Sequence, residues 1–183
     1  DHGNLTLKGF YKDISSFNVY GNINRIKLSK LYSLLEKRFP ITGEILNGFY
    51  NIGIGADNNL FFKIENAELA NGILDNIPYN KIKINSKYFD NILNIDALEF
   101  ESDIGDLDIN GNINFNISSE KPLFTSQSKI DLEMNIKDFE VQRINQYAHW
   151  EIENKGLLTG QWKMSGFANN VKITGDISII NPL

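Results

Sequence analysis

The chain has 183 residues, 42% of them aliphatic or aromatic and 22% charged, a composition that belongs to a globular domain rather than a disordered segment. Its 18 basic and 23 acidic side chains leave a net charge of −5, and no Lys/Arg run offers a grip on nucleic-acid phosphates. With no cysteine there is no disulfide framework, thiolate metal site or cysteine nucleophile, and His2 and His149 lie too far apart in sequence to suggest a histidine-rich zinc site.

From the N-terminus, Leu5, Leu7, Gly9 and Tyr11 share one phase, and Phe17, Val19, Gly21 and Ile23 the next. Such two-residue alternation marks a strand with one buried and one wet face. Leu28, Leu31, Leu34, Leu35 and Phe39 then switch to the spacing of one helix face, with Ser29 as the cap and Pro40 closing the helix. Leu46, Gly48, Tyr50, Ile52, Ile54 and Ala56 return to alternation, either folding at Asn47-Gly48 or continuing through it. Leu60, Phe62 and Ile64 are followed out of phase by Ala67 and Leu69, which predicts a bulge near Asn66. Ile82, Ile84, Ser86 and Tyr88 come next, then Leu93, Ile95 and Ala97.

The clearest run is Leu107 to Ile117, where Leu107, Ile109, Gly111, Ile113, Phe115 and Ile117 alternate with Asp and Asn. At ~3.3 Å per residue it spans roughly 36 Å, longer than the usual strand. Ile130, Leu132, Met134 and Ile136 continue the pattern, and Val141, Ile144, Tyr147 and Ala148 suggest a second short helix. Leu158, Gly160, Trp162, Met164 and Gly166, then Val171, Ile173, Gly175, Ile177 and Ile179, complete the series. Asp57-Asn58-Asn59, Asn71-Gly72, Asp90-Asn91, Ser118-Ser119-Glu120-Lys121-Pro122 and Ala168-Asn169-Asn170 read as turns. Short links between alternating strands predict an antiparallel meander, so the class is all-β.

The chain also repeats itself. Asn22-Ile23-Asn24-Arg25-Ile26-Lys27-Leu28 matches Asn135-Ile136-Lys137-Asp138-Phe139-Glu140-Val141, and each is followed by a helical stretch. Ile41-Thr42-Gly43 then aligns with Leu158-Thr159-Gly160, giving a repeat of about 17–64 against 130–180 with a helical part four residues different. One and a half copies within residues 1–183 read as a segment of a longer array.

A meander apolar on one face must cover it, by closing into a barrel, stacking two sheets, or curling and leaving a groove. Glycine recurs in the apolar phase at Gly9, Gly21, Gly48, Gly111, Gly160, Gly166 and Gly175. There it serves bends and bulges, or widens an interior for a flexible apolar guest, and tight curling satisfies both. An acyl chain suits such a lining, because each buried CH₂ gains ~0.8 kcal/mol without directional contacts.

Phe62-Lys63-Ile64-Glu65-Asn66-Ala67-Glu68-Leu69-Ala70-Asn71-Gly72, Ile77-Pro78-Tyr79-Asn80-Lys81-Ile82, Leu93 to Phe100, Asp106 to Ile113 and Gly156 to Ile177 resemble the repeat of the TamB/AsmA-like proteins. The resemblance runs from about Leu5 to Ile179 and rests on glycines, alternation and spacing. It implies long antiparallel strands curled into a taco-like, U-shaped open sheet with an apolar interior and one or two short amphipathic helices. It further implies a periplasmic bridge, its parent anchored in the inner membrane, that conducts phospholipid acyl chains between inner and outer membranes. The TamB type is also linked to outer-membrane protein assembly through a barrel partner of the BamA type. This chain lacks the family's N-terminal anchor and a recognisable partner-docking end, and Asp1-His2-Gly3-Asn4 lacks the layout of a signal peptide.

The residues expected to line such a groove are Val19, Ile23, Ile52, Ile54, Leu93, Ile95, Leu107, Ile109, Ile113, Phe115, Ile130, Leu132, Met134, Ile173 and Ile177. No enzyme activity, cofactor, metal or nucleic-acid partner is expected. Asp103, Asp106 and Asp108 form the densest carboxylate cluster, but carboxylates on the wet face of a strand are usually solvated, and no Asp-x-Asp-x-Asp-Gly loop is present. His149-Trp150 and Trp162 are candidates for stacking on a sugar, although Trp162 falls in the apolar phase. Gly53-Ile54-Gly55 lies in a strand and not before a helix, so it is no phosphate loop. Helix 28–39 is expected to cap one mouth of the interior rather than lie on a membrane. Open sheet edges predict end-to-end self-association of a fragment. The rival architecture is a closed β-sandwich serving as an adhesin or carbohydrate-binding module.

Overall fold

The alternating runs form ten strands, each long enough to carry an apolar row from one end to the other. The computed structural model describes residues 3–13, 16–35, 40–55, 59–115, 125–143 and 155–180. The strands are β1 (Asn4–Asp13), β2 (Ser16–Lys27), β3 (Glu44–Ile54), β4 (Leu60–Leu74), β5 (Ile77–Phe89), β6 (Ile92–Ser102), β7 (Gly105–Asn114), β8 (Lys129–Glu140), β9 (Leu157–Phe167) and β10 (Asn170–Ile180), with helix α1 (Leu28–Leu35) between β2 and β3. All ten pair antiparallel in sequence order, making one open sheet with β1 and β10 as its edges. The architecture is therefore the all-β open sheet expected from the sequence, and not two stacked sheets.

Directly paired residues share a face, so the register alone sorts the side chains. One inner row runs Gly9–Val19–Ile52–Phe62–Tyr88–Leu93–Ile113–Ile130–Gly166–Val171 across all ten strands. The next runs Leu7–Gly21–Tyr50–Ile64–Ser86–Ile95–Gly111–Leu132–Met164–Ile173. Asn, Asp, Glu and Lys dominate the alternate rows on the outer face.

Bulges keep the long strands on one face. The expected slip is present: the β4–β5 register shifts between Ile64 and Ala67, with Asn66 at φ 48°. Two others differ from the reading by phase. In β3 the buried residue is Ile45 rather than Leu46, because β2 and β3 both slip beside Arg25, whose φ is 51°. In β6 a shift after Ile95 turns Ala97 outward and Leu98 inward, opposite Ile109. Asn71-Gly72 is not a turn but lies within β4; the reversal comes at Asp75-Asn76, where φ is positive at both residues, as at Asp90-Asn91. Paired positive φ values fit the type I′ turns that twisted hairpins favour.

Three tyrosines reach over a neighbouring strand to the next one. Tyr50 in β3 lies over Gly21 in β2 and donates to the Thr6 carbonyl in β1 at 3.1 Å. Tyr79 in β5 lies over Gly72 in β4 and donates to the Thr42 carbonyl just before β3. The Tyr88 hydroxyl in β5 donates to the Phe115 carbonyl just after β7 at 3.2 Å. Strands two apart in a flat sheet sit ~9.6 Å from each other, so these bonds mark a face curled inward. A Cβ on Gly21 would meet the Thr6 oxygen at 1.7 Å, and one on Gly72 would meet the Thr42 oxygen at 2.0 Å. The first of these apolar-phase glycines is therefore one the curl requires.

The helix packs over one end of the strands. Leu28 joins Ile45, Leu69, Tyr79, Ile82 and Phe100 in the buried core, and Tyr32 donates to the Ile41 carbonyl. Ser29 is not its cap, because the helix begins at Leu28, whose N–H donates to Gly43 at 3.0 Å. Val141 makes the matching bond to Gly156 at 3.0 Å, and Arg25 and Asp138 both have φ near 50°. Leu28 with Gly43 and Val141 with Gly156 thus correspond at one constant spacing, so Gly156, and not Gly160, occupies the place of Gly43. The helical turn at Val141 is described only to Arg143; Ile144, Tyr147, Ala148 and His149-Trp150 lie outside the described residues.

Candidate functional site: the inner face of the sheet

All fifteen residues expected to line the groove fall on the inner face. Val19, Ile52, Leu93, Ile113 and Ile130 sit in the first row described above, and Ile95, Leu132 and Ile173 in the second. Ile23, Ile109 and Met134 occupy a third row, and Leu107 and Ile177 a fourth that also carries Ile45, Leu69, Ile82 and Phe100. Ile54 and Phe115 lie one step beyond the first row, at the end away from α1. Among the fifteen only Ile130 is buried; Ile52, Ile173 and Ile177 are exposed and the rest are half-exposed.

The face is not uniformly open. Towards α1 its floor is packed by the Leu28–Phe100 core, and at the far end Tyr88 is enclosed by rings, with Phe62 stacked at 5.4 Å and Phe115 tilted at 5.4 Å. Between these plugs a wholly apolar pocket of about 170 Å³ lies over β2 to β5, lined by Ile23, Ile45, Tyr50, Ile64, Leu69 and Ile84. An apolar cavity of ~150 Å³ holds a benzene-sized guest and stays dry without one. The pocket therefore fits a few methylenes, not a whole lipid. Ile64, Leu69 and Ile84 were legible by the same alternation but were not among the expected lining residues.

The chain as a whole exposes 12348 Å², against roughly 8,900 Å² for a compact monomer of this mass. A single-layer sheet, with no second sheet on its inner face, exposes more surface than a compact two-layer domain of the same mass. Exposed apolar side chains gather at the edges, including Leu7 on β1 and Ile173, Ile177 and Ile179 on β10.

Other candidates separate from this face. Asp106 and Asp108 lie on the outer face opposite Lys137 and Asn135, and Asp103 accepts a hydrogen bond from Asn80 at 2.7 Å. No group of three metal-ligating side chains occurs among the described residues. A concavity of about 420 Å³ over β7 to β10 is lined by outer-face polar groups, among them Asp108, Glu133, Lys163 and Asp176. There Lys163 bridges Asp131 and Glu133, whose carboxylates push its pKa up, so this is a paired, wet surface. Trp162 faces inward, opposite Met134 and Gly175, on the face its apolar phase indicated. Gly53 and Ile54 end β3, and the next element among the described residues is the strand β4.

Comparison with protein-family models, curated proteins and solved structures returns no match.

Proposed function

We propose that this chain is a non-catalytic segment of a TamB/AsmA-like lipid bridge. In this reading its inner face carries phospholipid acyl chains through the periplasm, in a parent anchored in the inner membrane. The observation that carries the reading is the apolar inner face, which runs across all ten strands and, between the core under α1 and the Tyr88 ring cluster, has no second sheet upon it. An apolar face that no second layer covers is expected to meet another apolar body. Acyl chains suit it because the rows supply aliphatic surface with few polar side chains, which favours sliding over fixed binding. In the parent, the bridge delivers lipid towards an outer membrane where a BamA-type barrel is the partner, engaged through another part of the protein. Open edges on β1 and β10 accommodate end-to-end pairing with further strands.

The test is equilibrium binding of an environment-sensitive fatty-acid probe to the purified chain. Saturable binding is expected, weakened about tenfold in Ile109→Asp and Leu132→Asp, which equals the loss of roughly two methylene contacts at ~0.8 kcal/mol each. Absence of saturable binding in the folded wild type refutes the reading.

A further inference from the structure

The outer face is polar along most of its length but not at the strand ends farthest from α1. In the last outer row there, Phe61, Phe89 and Ile92 are neighbours on β4, β5 and β6, while Phe10 on β1 and Phe167 on β9 stand three strands to either side, beyond Asn18 and Gly53 and beyond Asn114 and Lys129. Phe10, Phe89 and Phe167 are 58%, 55% and 50% exposed. On the inner face at the same end, Tyr11 is 73% exposed. Phenylalanine exposed on the wet side of a strand adds nothing to the core, and carried at intervals along one edge of the sheet it suits contact with an extended apolar layer rather than with a single pocket.

The charge around this row selects the partner. The row itself and the outer row behind it contain Lys8, Lys63, Lys87, Lys129 and Lys172, and Asp131 alone as a carboxylate. Lys63 pairs with Glu65 and Lys87 with Asp96, whereas Lys8, Lys129 and Lys172 form no ion pair among the described residues. Asp90 in the β5–β6 turn and Asp13 at the end of β1 are further carboxylates at this end, beside Lys12. The opposite half of the outer face is acidic on balance, with Glu44, Glu68, Glu99, Glu101, Asp106 and Asp108; its Lys81 and Lys83 are tied to Glu101 and Glu99 at 2.5 and 2.8 Å, and Lys27 and Lys137 stand opposite Glu44 and Asp106. A chain of net charge −5 therefore turns one positive, phenylalanine-studded rim outward.

We infer that this rim docks on the surface of an anionic lipid bilayer, its phenylalanines entering the headgroup–acyl boundary and its lysines meeting the headgroups. Aromatic anchors beside lysines are the combination that membrane interfaces favour. The inference goes beyond acyl-chain carriage, because the rim lies on the other face of the sheet and requires no guest inside.

The experiment is co-sedimentation of the purified chain with vesicles of phosphatidylcholine alone, or of phosphatidylcholine with phosphatidylglycerol. Binding to the anionic vesicles is expected, weakening with added salt. It should fall at least tenfold in Phe10→Ser/Phe89→Ser/Phe167→Ser and in Lys8→Glu/Lys129→Glu/Lys172→Glu, while both variants keep wild-type circular dichroism and fatty-acid-probe binding. Vesicle binding that persists in a wild type unable to bind the probe supports the rim and refutes carriage alone. No sedimentation with anionic vesicles at low salt overturns the inference, as does binding that both variants retain. A concentration-dependent dimer lost in the phenylalanine variant, without vesicle binding, also overturns it and assigns the rim to a second copy.

Discussion

Tyr79 over Gly72 is a small lever with a measurable effect. The tyrosine is buried, its hydroxyl donates to the Thr42 carbonyl, and burial first and the nearby Tyr32 second push its pKa above the ordinary tyrosine value. The native state therefore holds this proton more tightly than the unfolded chain does. The resulting stability is fully present below the unfolded tyrosine pKa and is lost as pH rises through the folded one. Tyr79→Phe should cost about 1 kcal/mol at neutral pH and flatten the alkaline part of the stability profile, as read by urea denaturation across pH. Gly72→Ala places a Cβ 2.0 Å from the Thr42 oxygen and 2.5 Å from the Tyr79 hydroxyl, so it should cost ~1–3 kcal/mol. Wild-type stability in Gly72→Ala would contradict the account of the curl. At this scale the inward isoleucines were legible because alternation states the face of each residue. The tyrosine bridges were not, since they depend on how far the sheet curls, a property of pairs of strands that one strand's sequence does not carry.

Among the elements, strand identity was plain and phase was not. The slip at Asn66 is written in the apolar pattern itself, whereas Arg25 and Asp138 take left-handed conformations that no glycine announces. The same blind spot misplaced Leu46 and Ala97. Asn71-Gly72 has the composition of a turn, yet Gly72 pairs with Tyr79 in β5 and the chain reverses after Leu74. The helix cap was misread because its first N–H is satisfied from afar, by Gly43, rather than by a local side chain. Leu28 links that helix to the core of the sheet. Leu28→Ala should destabilise the protein by about 2–5 kcal/mol, a cost that depends on how far the site collapses. A shift in denaturation midpoint near zero would show that α1 is an ornament on the sheet rather than its closing end.

For the whole molecule, two features follow from one arithmetic. Ten long strands in sequence order bury their backbone bonds against neighbours but leave the outermost edges, and the apolar face beyond the reach of α1, without a second layer. That openness was legible only as one of three ways to cover an apolar face; the choice among barrel, sandwich and curled sheet emerged from the register and the tyrosine bridges. The rim of phenylalanines was not legible at all, because its members come from five strands and only pairing aligns them. Acyl-chain carriage predicts that inward and outward positions on one strand meet different molecules. The most direct test places a photo-crosslinking residue at Ile113 and Leu132, which face inward, and at Asn112 and Glu133, which face outward, in cells producing the protein. The account predicts phospholipid adducts, identified by mass spectrometry, at the two inward sites and none at the outward pair. Adducts to protein alone at Ile113 and Leu132, or equal lipid labelling on both faces, would contradict it.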